Sequence, residues 1–308
     1  TFGSDGFKSL YLKFKDLDNF ESPTWRGEVL IGEDPFGARQ ISANPSRLFT
    51  IRGGQLWAMG DACYGRTMPA NVKCFYNEPQ IFDFDDKWIH VSAGGAFSAA
   101  VKTDGTLWSW GVNVNGALGQ GLTPSETTVV LAPQQVGSDH DWAFVSAGSN
   151  HALALKKDGS LWAWGYNSYG LLGDGSAADK SSPVQIGNSN QWKKVFAGAY
   201  RSHGIMADGS LWTWGPQDSQ GNFFSSPTKF GTDSDWLEIS TVNGSFLALK
   251  TNHTLWAWGI NNVGQLGDGS TVDIATPKQI SSDSNWVSVN SSGLEPFMPF
   301  QGTSSFAL

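Results

Sequence analysis

The sequence predicts an all-β chain folded as a single β-propeller of four-stranded blades. Three observations predict it. One stretch returns about every 50 residues, tryptophans recur at fixed places within each return, and Asp-Gly pairs punctuate the returns. The clearest copy runs from Val145 to Ser176, and related stretches surround Trp108, Trp212 and Trp256. Trp57, Trp108, Trp162, Trp212 and Trp256 form one series; Trp88, Trp142, Trp192, Trp236 and Trp286 form a second. These are ten of the chain's 15 tryptophans, so the repeat, not chance, sets their positions.

Each copy divides into four short apolar runs: A (W-x-x-V-S-A-G), B (H-A-L-A-L), C (L-W-A-W-G) and D (P-x-x-I). All four alternate or are rich in β-branched and aromatic residues, as half-buried strands are. Between B and C stand Asp104-Gly105, Asp158-Gly159 and Asp208-Gly209, with Gly53-Gly54 in an earlier copy. Asp-Gly between such runs predicts a two-residue hairpin with positive φ at both central residues. Four antiparallel strands repeated radially make propeller blades.

Aligned from the right, Ile41–Ile51 superposes on Val91–Val101, which places runs A and B early in the chain. Ser9–Phe14 takes the place of a run C, and Ile31-Gly32 ends a run D. The chain closes with an A run at Trp286–Val289 and a B run at Ser304–Leu308. Six A/B pairs and six C/D pairs predict six blades, seven being the alternative. Residues 1–308 then form one domain whose closing blade combines 1–35 with 284–308, so that pairing of N- and C-terminal strands hides the exposed edges.

Bulk composition narrows the function. A net charge of −8 and a pI near 5.0 argue against nucleic acid, which requires clustered Lys and Arg. No apolar stretch is long enough to insert in a membrane. The sequence has neither an initiator Met nor a signal peptide, so a processed chain or a fragment is expected. Cys63 and Cys74 fit either a stapled surface loop or two free thiols. The G-x-L-G-x-G stretches lack the Lys-Ser/Thr ending of a phosphate loop and read as turns. His151 stands where neighbouring copies have Phe97 and Arg201, a structural slot and not a proton-transfer one. No catalytic residue and no cofactor is expected; the chain reads as non-enzymatic.

The repeat, best kept from Ala147 to Gly175 and from Leu255 to Gly269, resembles the regulator-of-chromosome-condensation (RCC1-like) family, with wording nearest its bacterial and phage members. The resemblance implies a propeller. It leaves the function open, since the family includes a nucleotide exchange factor for a small GTPase, ubiquitin-ligase modules and a secreted enzyme inhibitor. The opening TFGSDGFKSLYLKF resembles phrases of bacteriophage tail and appendage proteins.

Strand alternation puts the A–B turns and C–D loops on one face. That face collects Tyr64, Phe75, Tyr76, Phe97, Tyr166, Tyr169, Tyr200, Arg201, Phe223, Phe224, Phe297 and Phe300, aromatics with an Arg, the composition of a protein-binding surface. The other face collects Asp83, Asp85, Asp139, Asp141, Asp233 and Asp235, hard oxygen ligands that make weak metal candidates. The leading expectation is an interaction propeller of a bacteriophage virion, with other virion or cell-surface subunits as partners and a virion or extracellular location. A secreted bacterial binding protein or enzyme inhibitor is one alternative, and a GTPase exchange factor-like regulator is another.

Overall fold

The computed structural model describes residues 6–12, 25–31, 40–44, 47–61, 75–83, 85, 87–216, 223–242, 244–286, 288–293 and 303–307. β1 (Gly6–Leu12) and β2 (Trp25–Ile31) form an antiparallel ribbon. Sheet one is β3 (Gln40–Asn44), β4 (Arg47–Arg52), β5 (Gln55–Asp61) and β6 (Phe75–Asp83). Sheet two is β7 (Trp88–Ala93), β8 (Phe97–Lys102), β9 (Leu107–Asn113) and β10 (Ser125–Gln135). Sheet three is β11 (Trp142–Ala147), β12 (His151–Lys156), β13 (Leu161–Gly165) and β14 (Lys180–Gln185). Sheet four is β15 (Trp192–Ala197), β16 (Ser202–Met206), β17 (Leu211–Pro216) and β18 (Phe223–Phe230). Sheet five is β19 (Trp236–Val242), β20 (Ser245–Lys250), β21 (Leu255–Gly259) and β22 (Ile274–Gln279). A second ribbon pairs β23 (Val289–Gly293) with β24 (Thr303–Ala307).

The four-stranded antiparallel unit is therefore as the sequence predicts, and five complete sheets are described. The strands expected to make the closing blade are described as two ribbons. The two ribbons are separate sheets, and no ladder joins β1 to β24 among the described pairings. β23 nevertheless occupies a first-strand position. Its Val289↔Ala307 register repeats Val145↔Ala154 of sheet three, and it lies against β19 and β20 of sheet five and β3 of sheet one.

Neighbouring sheets are joined along their first strands by serines. The Oγ atoms of Ser42, Ser92 and Ser146 each accept the backbone N–H of the next sheet's Ala93, Ala147 or Ala197 at 2.9 Å. At the rim, the fourth strands β6, β10, β14, β18 and β22 carry Pro79, Pro133, Pro183, Pro227 and Pro277. A proline in an edge strand removes a donor and discourages pairing with other chains.

The hairpin prediction needs correction. Gly105, Gly159 and Gly209 have positive φ, but Asp104, Asp158 and Asp208 do not. Gly105 N donates to Lys102 O, and Lys102 N to Thr106 O, which is a three-residue loop ending in a glycine bulge. The Asp side chain selects it: Asp104 Oδ1 accepts from Thr106 N at 3.0 Å and Thr106 Oγ1 at 2.7 Å. Asp158 with Ser160 and Asp208 with Ser210 repeat the arrangement. Gly53-Gly54, positive at both residues, is the two-residue turn expected.

A lysine between two tryptophans closes three of the sheets. Lys156 Nζ lies 5.0 Å from the ring of Trp142 on β11 and 4.5 Å from Trp162 on β13. Asp139 and Asp141 hold it from outside at 2.6 and 3.1 Å. Lys250 repeats this with Trp236, Trp256, Asp233 and Asp235, and Lys102 with Trp88, Trp108 and Asp85. Burial works against the charges of Lys156 and Lys250, but hydrogen bonds and charges from the aspartate pairs outweigh it and raise both above the ordinary lysine value. In sheet four Met206 takes the lysine's place beside Trp192 and Trp212.

Two predictions follow from this packing. Lys156→Ala should destabilise the protein by about 2 kcal/mol, since it removes a largely desolvated cation from two indole faces. Lys156→Met, which copies the native solution at Met206, should cost about 1 kcal/mol. Urea denaturation of both variants checks the order.

The second prediction concerns pH. Burial depresses the imidazoles of His90, His151 and His203 to about 3, about 4 and about 3, Arg201 adding to the effect at His203. The unfolded chain therefore takes up protons that the folded chain refuses. Stability should be full above pH 6.5 and fall as the pH drops below it, by about 1.4 kcal/mol per pH unit for each histidine. His151→Phe, the residue at position 97, should remove about a third of that part of the slope between pH 6 and 5, measured by denaturation at each pH.

Candidate functional site

The face carrying the A–B turns and C–D loops is built from long loops that are nevertheless fixed. In sheet three the C–D loop hangs on Asn167, which is fully buried. Its Nδ2 donates to Asp174 Oδ1, Ser176 O and Ala178 O, its N to Asp179 Oδ1, and its Oδ1 accepts from Leu172 N. Asn261 in sheet five makes the same set with Asp268, Ser270, Val272, Asp273 and Leu266. Hydrogen bonds from Lys278, Ser270 and Asn261 push Asp268 down to about 2. These carboxylates thus act inside the loops.

The loops of sheets two and three also dock on the next sheet. Trp164 Nε1 donates to Ala117 O at 2.9 Å, and Trp214 Nε1 to Leu171 O at 2.8 Å. Glycine is required at the contact. A methyl group on Gly173 would lie 3.0 Å from Cδ1 and Nε1 of Trp214, and its φ of +79° already disfavours a side chain. Gly175 N donates to Ser225 O at 2.8 Å, so the loop of sheet three is stitched to the fourth strand of sheet four.

This docking brings aromatics of two sheets together. Tyr166 and Tyr169 stand on the loop of sheet three with ring centroids 6.4 Å apart, edge to face. A methyl on Gly170, beside Tyr169, would lie 3.2 Å from the Phe223 ring. Leu171 of the same loop approaches Gly215, which also faces the Tyr200–Arg201 turn. Tyr169, Tyr200, Phe223 and Phe224 remain 48%, 41%, 43% and 41% exposed, and Tyr166 and Arg201 are half-buried at the edge.

Six of the twelve expected binding residues are thus gathered on one patch. Phe97 is not: it is fully buried as the first residue of β8, so its ring fills the seam toward sheet three. Phe75 and Tyr76 begin strand β6 and are not in a loop. Tyr64, Phe297, Phe300, Cys63 and Cys74 lie outside the described residues. Aliphatic members of the same face went unread in the sequence: Leu122, Ile260, Val263 and Val272 are exposed in the C–D loops of sheets two and five. A search confined to aromatic and charged residues passes over them.

The acidic face is already neutralised. Asp85, Asp139, Asp141, Asp233 and Asp235 hold the sandwiched lysines, and Asp83 accepts from Asp85 N. An ammonium stands where a metal ion would, and no metal-holding group of His, Cys, Asp and Glu occurs among the described residues.

One pair resembles a nucleophile with its base. His151 Nε2 lies 2.9 Å from Ser202 Oγ. Both residues are fully buried, and Ser202 Oγ also donates to Leu171 O at 2.7 Å. The hydroxyl has a single proton, committed to that carbonyl, so the imidazole must be the donor to Oγ. His151 Nδ1 has no partner, so no carboxylate orients the ring. The pair clamps the loop to sheet four and has no base to offer.

Comparison with known proteins agrees with this architecture. A protein RCC2 homolog of Danio rerio is 30% identical over 171 residues, which is 54% of this chain and 30% of that one. The X-linked retinitis pigmentosa GTPase regulator homolog of Caenorhabditis elegans is 34% identical over 102 residues, 31% of this chain and 7% of that one. The chain thus spans less than a third of either relative. Among solved structures, Prp20p from Saccharomyces cerevisiae superposes with a TM-score of 0.72 at 19% identity, over 87% of this chain and 67% of that one, a likeness of fold. Two profiles, both described as the regulator of chromosome condensation (RCC1) repeat, match residues 88–117 and 142–171 and residues 104–155, 158–203 and 252–293. With its four-stranded sheets and docked glycine loops, the chain belongs to the regulator of chromosome condensation (RCC1) repeat family.

Proposed function

We propose that this chain is a non-enzymatic interaction propeller that binds a protein partner through the patch of Tyr169, Tyr200, Phe223 and Phe224. The observation that carries the reading is the exposure of these four aromatics, Tyr169 on a hydrogen-bonded loop, Tyr200 on a turn, and Phe223 and Phe224 at the start of β18. Rigid aromatic area beside an Arg binds with little loss of conformational freedom.

For the partner, a small GTPase engaged as by an exchange factor-like regulator is better supported than a virion subunit. One relative is named a GTPase regulator homolog, and the yeast propeller is described by its binding to Gsp1p and histones. The phage-like reading rests on the opening phrase of the chain and on the wording of the repeat, and the relatives reported above add nothing to it.

The reading includes a ring of six blades over residues 1–308. β23 already touches both sheet five and sheet one, and the β1–β2 ribbon supplies the third and fourth strands that a sixth sheet requires. In this arrangement the aromatic patch is one sector of a continuous loop face.

Binding of Gsp1p, nucleotide-free and GDP-loaded, to the chain tests the proposal by biolayer interferometry. Preference for the nucleotide-free form is expected, with Phe223→Ser/Phe224→Ser weakening it roughly tenfold or more at unchanged melting temperature. Binding that ignores nucleotide state removes the exchange-factor reading, and binding that ignores the double variant removes the patch.

A further inference from the structure

Sheet four breaks the repeat at one buried place. On the second and third strands a cross-strand pair faces the next sheet: Phe49 with Ala58, Leu153 with Ala163, Leu247 with Ala257. In sheets three and five a leucine of the C–D loop, Leu172 or Leu266, covers the pair. In sheet two, Ala99 with Ser109 lies under Leu118, whose carbonyl Ser109 Oγ binds at 2.6 Å. In sheet four the pair is His203 with Thr213. Residues 216–222, Pro-Gln-Asp-Ser-Gln-Gly-Asn, contain no leucine. The third and fourth strands also rejoin sooner, Gly215 pairing with Phe224 where Gly165 pairs with Lys180.

The polar pair is unsatisfied. His203 is 3% and Thr213 4% exposed, yet both ring nitrogens of His203 and Oγ1 of Thr213 lack a hydrogen-bond partner. Buried polar atoms without partners cost stability, and the apolar pairs of sheets one, three and five show that the fold does not require them here. The surroundings indicate what would complete them. His203 packs edge-on against Phe246 at 5.4 Å, and the Arg201 guanidinium lies 5.3 Å over the same ring. The other charged groups on the packed strands are Lys250, held by Asp233 and Asp235, Lys193 and Lys194 on β15, Glu238 on β19 and Lys229 on β18. Arg201 is the charge that bears on His203, and it is a cation.

We propose that His203 and Thr213, with the half-buried Arg201 over the Phe246 ring beside them, form a site for a carboxylate carried by the protein partner on an acidic side chain. The carboxylate accepts from the Thr213 hydroxyl and from an imidazole N–H. The second ring nitrogen takes a proton from solvent, so the bound pair is imidazolium with carboxylate and the buried charge stays balanced. The site lies beside Tyr200 and the Phe223–Phe224 strand. The proposal therefore rests on the interaction reading above and names the chemistry by which the patch would select its partner.

Propionate, the acid of a glutamate side chain, serves as probe, with the full chain and ¹⁵N NMR of the histidine rings as readout. The expected result is that propionate moves the His203 ring signals to the imidazolium pattern while propionamide does not. The apparent dissociation constant should rise about tenfold per pH unit above neutrality, as one linked proton requires. Thr213→Ala should weaken the effect, and His203→Leu should abolish the signal without lowering stability. Ring signals that ignore propionate, or answer propionamide equally, overturn the site. The Phe223→Ser/Phe224→Ser comparison does not depend on propionate, so the patch can stand if this site falls, and the reverse.

Discussion

The contact on which the rest of the structure depends is the one between a glycine loop and the next sheet's third-strand tryptophan. A propeller sheet has no helix to cover its faces, so each sheet is the other's core. Trp164 and Trp214 are fully buried in these seams, and their indole N–H groups bind the carbonyls of Ala117 and Leu171 in the preceding loop. The loop can approach closely only because glycine stands at the contact. Burial, hydrogen bonding and backbone geometry are thus satisfied at one point where sheet two meets sheet three and sheet three meets sheet four, while the equivalent Trp110 between sheets one and two is buried without an indole partner.

That point also decides which face is free to function. On the opposite side, the aspartates between sheets are held by lysines that are themselves held between indoles, so charge there is consumed in closing the blades. On the loop side, the carboxylates of Asp174, Asp179, Asp268 and Asp273 turn inward to the loop backbones, or to a lysine as Asp268 does. Left facing outward are apolar and aromatic side chains on a rigid base. Sheet four departs furthest from the pattern, with a shorter C–D connection, Met206 for lysine, and His203 with Thr213 for the pair that is apolar in sheets one, three and five. Phe246 fills part of the seam by stacking on Trp258 at 5.1 Å. The shorter connection and the His203–Thr213 pair lie toward the aromatic patch, which is where local rules are expected to give way to function, while Met206 lies at the opposite end of its strand.

Much of the fold was legible because its signals are short in range. Alternation marked the strands, and the spacing of Trp88, Trp142, Trp192 and Trp236 marked the first strands of sheets two to five. The turn type was misread because Asp-Gly suits two hairpin geometries. The Ser or Thr after it, which binds the Asp side chain, was the deciding signal and was present in the sequence. Phe97 was placed in a turn because its neighbours in the repeat are polar, whereas its ring points beneath the loop into the core. The lysine sandwiches escaped because Lys102, Lys156 and Lys250 each read as an ordinary strand end; what links them to two tryptophans is cross-strand register, which a linear reading does not display. Tyr169 and Phe223, 54 residues apart, come together only through the docking of one sheet's loop on the next.

The most direct test of this account compares two glycines in the same loop-bearing sheet. Gly173 and Gly187 both have positive φ, +79° and +61°, but only Gly173 faces Trp214, while nothing lies within 4 Å of a methyl placed on Gly187. Alanine at either position should cost about 1 kcal/mol for its backbone conformation alone. If loop docking governs the fold, Gly173→Ala should cost about 1–3 kcal/mol more than Gly187→Ala and expose the amides of Leu172 and Gly175 to hydrogen exchange. Equal costs, with those amides still protected, would contradict it.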